Sequence, residues 1–275
     1  MANPDESRNS AAGYRKIISV INEHSSSTVT ARYAMTLSTT DNARLILYAV
    51  MDVCHDDAIQ RRTERHLEHL FDIATERGIP VRQIKETGPI TRLLPKCVEA
   101  EGADLVFYPL APGEHYGAPL QKHTIHQLLR TISSDLAIMR IVHMGRHHPA
   151  CILAPLGATI ANSGKHRQFL AALAHSFNAQ VTLFHMAVAG GRSMPDDITR
   201  LRDELLKQNI SVLERSGSGR ISRAIAVEAI TRHNDLIVLG ASERSTLKRI
   251  FFGNPAGDVM HKPPCNAILF RSAAE

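Results

Sequence analysis

DLIVLG at residues 235–240 repeats DLVFYP at 104–109, and it is one of four apolar runs that occur twice in the chain. RKIISVIN at 15–22 corresponds to CILAPLG at 151–157, and RLILYAV at 44–50 to QVTLFHM at 180–186. LAIM at 136–139 corresponds to NAIL at 266–269. With Ile17 laid on Ile152, the offsets in chain order are 135, 136, 131 and 130 residues. Four runs in one order at nearly one spacing identify a duplication. Each run is short, rich in Ile, Val and Leu, and without clean polar alternation. That is how a strand buried on both faces reads.

Helical patterns separate the runs. Leu67, Leu70, Phe71 and Ala74 sit at i, i+3, i+4, i+7, and Ile90, Leu93, Leu94, Cys97 and Val98 form a second stripe. Pro95 inside that stripe predicts a kink or a shortened helix, because proline lacks the N–H and crowds the preceding turn. Ile198, Leu201 and Leu205 form a stripe in the second half, as do Ile221, Ala224, Ile225 and Ala229. Such stripes are the buried face of a helix lying on a sheet. Strands alternating with helices imply βαβ crossovers and parallel pairing. The fold class is therefore α/β, with two tandem doubly wound parallel-sheet domains. Each holds five strands; in the second half they are placed at 151–156, 180–186, near 210–215, 235–239 and 266–270. The division is a tail at 1–13, a first domain at 14–142, a linker at 143–149 (HMGRHHP) and a second domain at 150–275. The Gly, Pro and polar content of 143–149 is that of a linker.

Composition narrows the function. A chain of 275 residues gives each half enough length for its own core, with no need of disulfides or a structural metal. The net charge of +5 favours anionic partners, but the basic clusters Arg61-Arg62, Lys248-Arg249 and Arg146-His147-His148 are short and dispersed. With no Trp and 5% aromatics there is no base-stacking platform, so nucleic acid is not expected as a partner. No apolar run reaches 18 residues, which excludes a helical span. The polar start MANPDESRNSAAG reads as neither a secretion signal nor an anchor, and Cys54, Cys97, Cys151 and Cys265 form no CxxC. The expectation is a cytoplasmic protein with reduced thiols: Cys97, Cys151 and Cys265 packed, Cys54 exposed.

Open parallel sheets bind ligands beyond the carboxyl ends of their strands, at the switch point. There the second half carries DLIVLGASERSTLKRIFFGNPAGDVMHKPPCNAILF, residues 235–270. Gly240 ends the strand, and Gly253 and Asn254 follow thirteen residues later, just before a short helical pattern. A glycine lets the backbone approach a phosphate where a Cβ would collide. Amides at a helix N-terminus then point at the anion. Ser242, Arg244, Lys248 and Arg249 supply donors or positive charge, or are simply a polar loop.

This stretch resembles the universal stress protein family, whose ATP-binding members carry Gly, two residues, Gly, nine residues, Gly, then Ser or Thr. Gly240 and Gly253 fall on the first and third glycines, Glu243 on the second, and Asn254 on the Ser or Thr. LIVLG before the loop, LKRIFFG leading into Gly253 and PPCNAILF as the closing strand are also family-like. The resemblance implies an adenine nucleotide alpha hydrolase-like, Rossmann-type fold across nearly the whole chain. It also implies an ATP site in the second half, with Mg²⁺ arriving only with the nucleotide. Gly240, Gly253 and Asn254 would hold phosphates with help from Ser242 and Arg244, Met186 would flank adenine, and Gly157 would leave room near the ribose. Family members pair through the last strand. The two halves are therefore expected to form an intrachain pseudo-dimer that covers the apolar NAILF edge, and two chains a homodimer.

Three departures bear on that site. Gly157 stands where ATP-binding members have an Asp after the first strand, and Asn22 does so in the first half. Met186 follows His185 where an adenine contact belongs. Glu243 brings a carboxylate to a polyphosphate loop, and like charges about 4 Å apart at an effective dielectric of ~20 repel by ~4 kcal/mol; Arg244 offsets this, or Glu243 points to solvent. The first half departs further. Pro109 and Lys122 occupy the glycine positions, while Gly113 and Gly117 are out of register. It reads as a degenerate copy kept for packing.

Other patterns are weaker. Among 15 histidines, His66 and His69 flank Glu68, and His115, His123 and His126 cluster, with no metal-ligand spacing. Ser216 and Ser218 in SGSG read as a strand-to-helix loop, with Ser218 a helix cap or a phosphate contact. No G-x-S-x-G occurs, and no positioned base is evident. Three functions remain: a non-catalytic stress-response protein binding adenine nucleotide, a ligand-free regulatory or scaffolding module acting through protein contacts, and a nucleotide hydrolase.

Overall fold

Each apolar run lies in a strand, and the strands join one sheet. A computed structural model describes residues 13–51, 57–110, 119–160, 162–187, 194–241 and 255–273. The N-terminal half contains β1 (Lys16–Ile21), α1 (Ser25–Asp41), β2 (Arg44–Met51), α2 (Asp57–Glu76), β3 (Val81–Thr87), α3 (Ile90–Glu101), β4 (Leu105–Pro109), α4 (Pro119–Thr131) and β5 (Asp135–Arg140). The C-terminal half contains β6 (Cys151–Leu156), α5 (Ser163–Phe177), β7 (Gln180–Met186), α6 (Asp196–Leu206), β8 (Val212–Gly217), α7 (Ile221–Thr231), β9 (Leu236–Gly240), α8 (Pro255–His261) and β10 (Asn266–Arg271).

The strand order is β3-β2-β1-β4-β5-β10-β9-β6-β7-β8. Among the described residues, pairing is parallel everywhere except between β5 and β10. The two expected half-sheets thus merge into one ten-stranded sheet with the strand order of one half mirrored in the other. β10, which carries NAILF, is an interior strand. The outer strands are β3 and β8, which carry Arg82, Lys85, Glu214 and Arg215; charged residues on an edge strand discourage further pairing.

The lack of alternation in the runs has its cause in two apolar layers. Ile17 and Ile21 of β1 belong to the layer that buries Tyr33, Leu70, Phe169 and Leu201 from α1, α2, α5 and α6. Ile18 and Val20 face the layer holding Leu94, Leu128, Ile225 and Val259 from α3, α4, α7 and α8. The duplication extends to the polar groups. Asp104 accepts from the N–H of Arg15 and Lys16 at 2.8 and 3.1 Å, and Asp235 from those of Ala150 and Cys151 at 3.0 and 3.2 Å. Asn42 and Asn178 end α1 and α5 in the left-handed conformation, each at φ 51°, which asparagine tolerates better than most residues.

The junction is locked by a second related pair. Asp135, at the start of β5, accepts from the Ala273 N–H beyond β10 at 2.7 Å and from the buried Tyr14 hydroxyl at 2.9 Å. Asn266, at the start of β10, accepts from the Val142 and His143 N–H groups beyond β5, each at 2.9 Å. Its amide donates to the His143 and Arg146 carbonyls at 3.3 and 2.9 Å. Each half thus holds the chain leaving the other half's last strand, and the backbone at 142–146 is tied down.

Several local expectations are corrected. α3 runs through Pro95 without ending; Leu94, Cys97 and Val98 on either side of it are buried against the sheet, and that packing outweighs one lost hydrogen bond. Ile221 of the α7 stripe is exposed, while Ile225 and Ala229 are buried and Ala224 packs against them in the core. β8 lies two residues later than expected because Val212 pairs with Val181. That register draws Ser216 into the strand opposite His185, and Arg220 rather than Ser218 is the N-cap of α7, without a side-chain cap bond. Cys97 and Cys265 are buried and Cys151 is half-buried; burial pushes the Cys97 and Cys265 thiols up to about 11 and about 12. Cys54, Gly113, Gly117 and His115 lie outside the described residues.

Asn266 is fully buried and makes four hydrogen bonds across the junction. Asn266→Ala leaves backbone donors unpaired, and we expect it to lower the unfolding free energy by about 1–3 kcal/mol, read as a lower midpoint in urea denaturation.

Candidate functional site

β6 and β9 are adjacent parallel strands of the C-terminal half, and both end at its carboxyl edge. A cavity of about 180 Å³ opens there. Its walls include Leu156, Gly157, Thr159 and Ile160 from the β6–α5 loop, and Gly240 and Ala241 from the end of β9. Phe270 and Ser272 close it from β10, and His166 from α5.

The loop is held from several sides. The Ile160 N–H donates to Asp197 at the start of α6 at 3.2 Å. Asn162, in the left-handed conformation, caps α5 by accepting from the Lys165 N–H at 3.4 Å. Its amide donates to the Ala273 carbonyl at 3.4 Å, which ties α5 to the segment following β10. His185 Nδ1 lies 3.1 Å from the Leu156 carbonyl at the end of β6. The Ala241 N–H donates to the Phe270 carbonyl at 2.7 Å, fixing the exit of β9.

Gly240 is constrained by space. A Cβ there would stand 3.1 Å from His166 Cε1 and 3.6 Å from its Nδ1, closer than a side chain normally sits to a buried ring. At Gly157 a Cβ would meet only the Thr159 carbonyl, at 3.5 Å, an ordinary contact. The His166 ring packs edge-to-face on Phe270 with centroids 5.8 Å apart, and Phe270 stacks flat on Phe169 at 4.1 Å. His166 is 5% exposed, and its Nε2 has no hydrogen-bond partner. Burial pushes its pKa down to about 4, so the ring is neutral at pH 7.

Of the residues singled out from sequence, the structure brings Gly157 and Gly240 together around this cavity. Met186 lines no part of it; its side chain packs on the opposite face of the sheet beside Phe184 and Gly217. Ser242, Glu243, Arg244, Lys248, Arg249, Gly253 and Asn254 lie outside the described residues. Sequence reasoning missed His166, Thr159, Ile160, Phe270 and Ser272. The available signal was the first of the two histidines in KHRQFLAALAHSF (165–177), in the first turn of a helix whose other buried residues are apolar.

At the corresponding place in the N-terminal half, a hydrogen bond links the first turn of α1 to the end of β4. The Ser26 hydroxyl donates to the Leu110 carbonyl at 3.3 Å, and both residues are buried. Pro109, in the Gly240 position, is buried at the end of β4. Asn22 takes the His24 N–H on its side-chain oxygen, and His66 Nδ1 lies 2.9 Å from its carbonyl. Among the described residues no group of three or more His, Cys, Asp or Glu side chains could hold a metal ion, and no helix is long and apolar enough to cross a membrane.

A doubly wound sheet with an opening at its central switch point defines a Rossmann-type α/β protein. Residues 161–271 match the universal stress protein family, so the C-terminal half carries a domain of that family. Solved structures extend the fold likeness to both halves. A universal stress protein from Archaeoglobus fulgidus DSM 4304 superposes with a TM-score of 0.66 at 11% identity, covering 94% of this chain and 96% of its own. A protein of unknown function from Pseudomonas aeruginosa PAO1 gives 0.65 at 15% identity, covering 96% and 95%. The cytoplasmic domain of a prokaryotic cation chloride cotransporter gives 0.59 at 11% identity, covering 95% and 96%. Among curated proteins none matches the chain.

The His166 environment has a consequence for stability. Its folded-state pKa lies below the unfolded value of 6.5, so the unfolded chain binds the extra proton and stability falls as pH drops from about 6.5 towards 4. His166→Leu removes this dependence. In urea titrations the variant is expected to match or exceed the wild type at pH 7 and to gain on it by about 3 kcal/mol as pH approaches 4.

Proposed function

We propose that this chain is a cytoplasmic stress-response protein whose C-terminal half binds adenine nucleotide, as ATP with Mg²⁺ accompanying it, without catalysing a reaction. The observation that carries this reading is the cavity between Gly157 and Gly240, at the carboxyl ends of β6 and β9. Doubly wound sheets take their ligands at this place, and Gly240 opens a loop whose glycine spacing is family-like. At about 180 Å³ the cavity is below the usual range for a whole small-molecule site, so it suits one part of a nucleotide. The remaining contacts are assigned to the loop residues Ser242, Arg244, Gly253 and Asn254, with Gly157 beside the sugar. Met186, the expected adenine contact, packs on the opposite face of the sheet beside Phe184 and Gly217. The N-terminal half, its gap bridged by Ser26 and Leu110, serves packing.

Isothermal titration of the full chain with ATP and Mg²⁺ tests the reading. Saturable heat is expected, with no ADP produced above background. Gly240→Val drives a branched side chain against His166 and is expected to weaken binding about tenfold or more. No heat up to millimolar ATP removes the reading.

A second reading, a module acting through protein contacts, is favoured by α7. Val227 and Ile230 on that helix are 49% and 60% exposed. The last strands are paired within the chain, so a homodimer has to use a helix face, and we assign it to this one. Light scattering is expected to report a dimer for the wild type and a monomer for Val227→Glu combined with Ile230→Glu. A wild-type monomer at micromolar concentration removes the homodimer.

A further inference from the structure

His166 is a polar side chain without a polar partner. It lies in the first turn of α5, where its own N–H donates to the Asn162 carbonyl at 3.1 Å. The N–H groups of Ser163 and Gly164 precede it, at the end of the helix where donors are in excess and the dipole favours negative charge. Leaving a buried imidazole nitrogen without a partner is destabilising. Leucine or phenylalanine would fill the same space on Phe270 without that cost. The Cε1–Nδ1 edge of the ring faces Gly240, and the missing Cβ of that glycine leaves the edge open to the cavity.

We propose that His166 is a ligand-contacting residue of this cavity, which binds a phosphoryl oxygen between Gly157 and Gly240 and takes up a proton from solvent as the oxygen binds. This rests on the nucleotide reading above and adds a regulatory property to it, tighter binding at lower pH. The described surroundings give the imidazolium no other counter-charge. The end of β6 and the loop after it present Pro155, Leu156, Gly157, Thr159 and Ile160, the end of β9 presents Gly240 and Ala241, and the end of β10 presents Phe270 and Ser272, none of them titratable. On α5 itself, Lys165 reaches Gln168 and Arg167 is paired with Glu204. Asp197 of α6 lies at the base of the loop, where it accepts from the Ile160 N–H. Burial is the sole cause that keeps the free ring neutral. An anion in the cavity beside the Cε1–Nδ1 edge supplies a counter-charge, and the charged form becomes favourable. Each unit by which the bound anion raises the imidazole pKa appears as a tenfold gain in affinity on the acid side.

The test is titration of the full chain with ATP and Mg²⁺ at pH 7.5 and pH 5, in two buffers of different ionisation enthalpy, for wild type and His166→Gln. The wild type is expected to bind about tenfold more tightly at pH 5 and to take up a proton on binding. His166→Gln is expected to bind more weakly than the wild type at pH 7.5 and to lack the additional gain at pH 5. Protonation of the ATP phosphates is common to both proteins and cancels in the comparison. Histidine ring-carbon NMR on the wild type gives a second readout that does not depend on the variant folding. The most acid-shifted histidine resonance is expected to titrate at higher pH when ATP is bound. Equal pH dependence in the two proteins, or an unmoved histidine titration, overturns the proposal while leaving nucleotide binding intact. Absence of ATP binding at both pH values overturns the nucleotide reading, and this proposal with it.

Discussion

The antiparallel pairing of β5 with β10 is the contact on which the rest of the molecule depends. Left alone, each half would end in an apolar strand with an open row of backbone donors and acceptors. Pairing Ala267 with Arg140 through to Arg271 with Leu136 satisfies both rows at once and buries the NAILF side chains in a continuous core. Asp135 and Asn266 fix the register at its two ends, each receiving the chain that leaves the opposite strand. A one-residue slip would invert every side chain of β10 between the two helix layers and would break both locks.

The same strand links the junction to the cavity. Phe270 of β10 pairs with Gly240 of β9, stacks on Phe169 and carries His166 on its edge. Asn162, which caps the helix bearing His166, is bonded to Ala273, and Ala273 is bonded to Asp135 of the N-terminal half. The N-terminal half is thus part of the framework that holds the C-terminal cavity open. Its own gap is spanned by a serine hydroxyl and a leucine carbonyl, where the C-terminal half has space beside a histidine. The duplication preserved the scaffold, and the two copies diverged at the sheet's carboxyl edge.

The fold was legible in the sequence because its signals are local. The short aliphatic runs gave the strands, the helical stripes gave α2, α3 and α6, and the repeat offsets gave the two-fold arrangement. The misreadings were also local rules overridden by packing. Pro95 stays within α3 because buried neighbours hold the helix on the sheet. Ser216 is drawn into β8 by its pairing with β7. Gly157 and Gly240 could be placed at the strand ends that line the cavity because backbone freedom beside a strand end is written in the residue type. Where Met186 packs was not legible, because which face of β7 it occupies depends on the register of the whole sheet.

Sequence alone determined the class of fold, the duplication and the position of the crevice, since strand and helix periodicities follow from which side chains can be buried. Only the tertiary structure decided what lines that crevice. His166, Gly240 and Phe270 are distant along the chain, and their meeting is set by the order and register of ten strands. No local pattern marks a histidine as lacking a partner; that becomes visible only when every neighbouring element is in place.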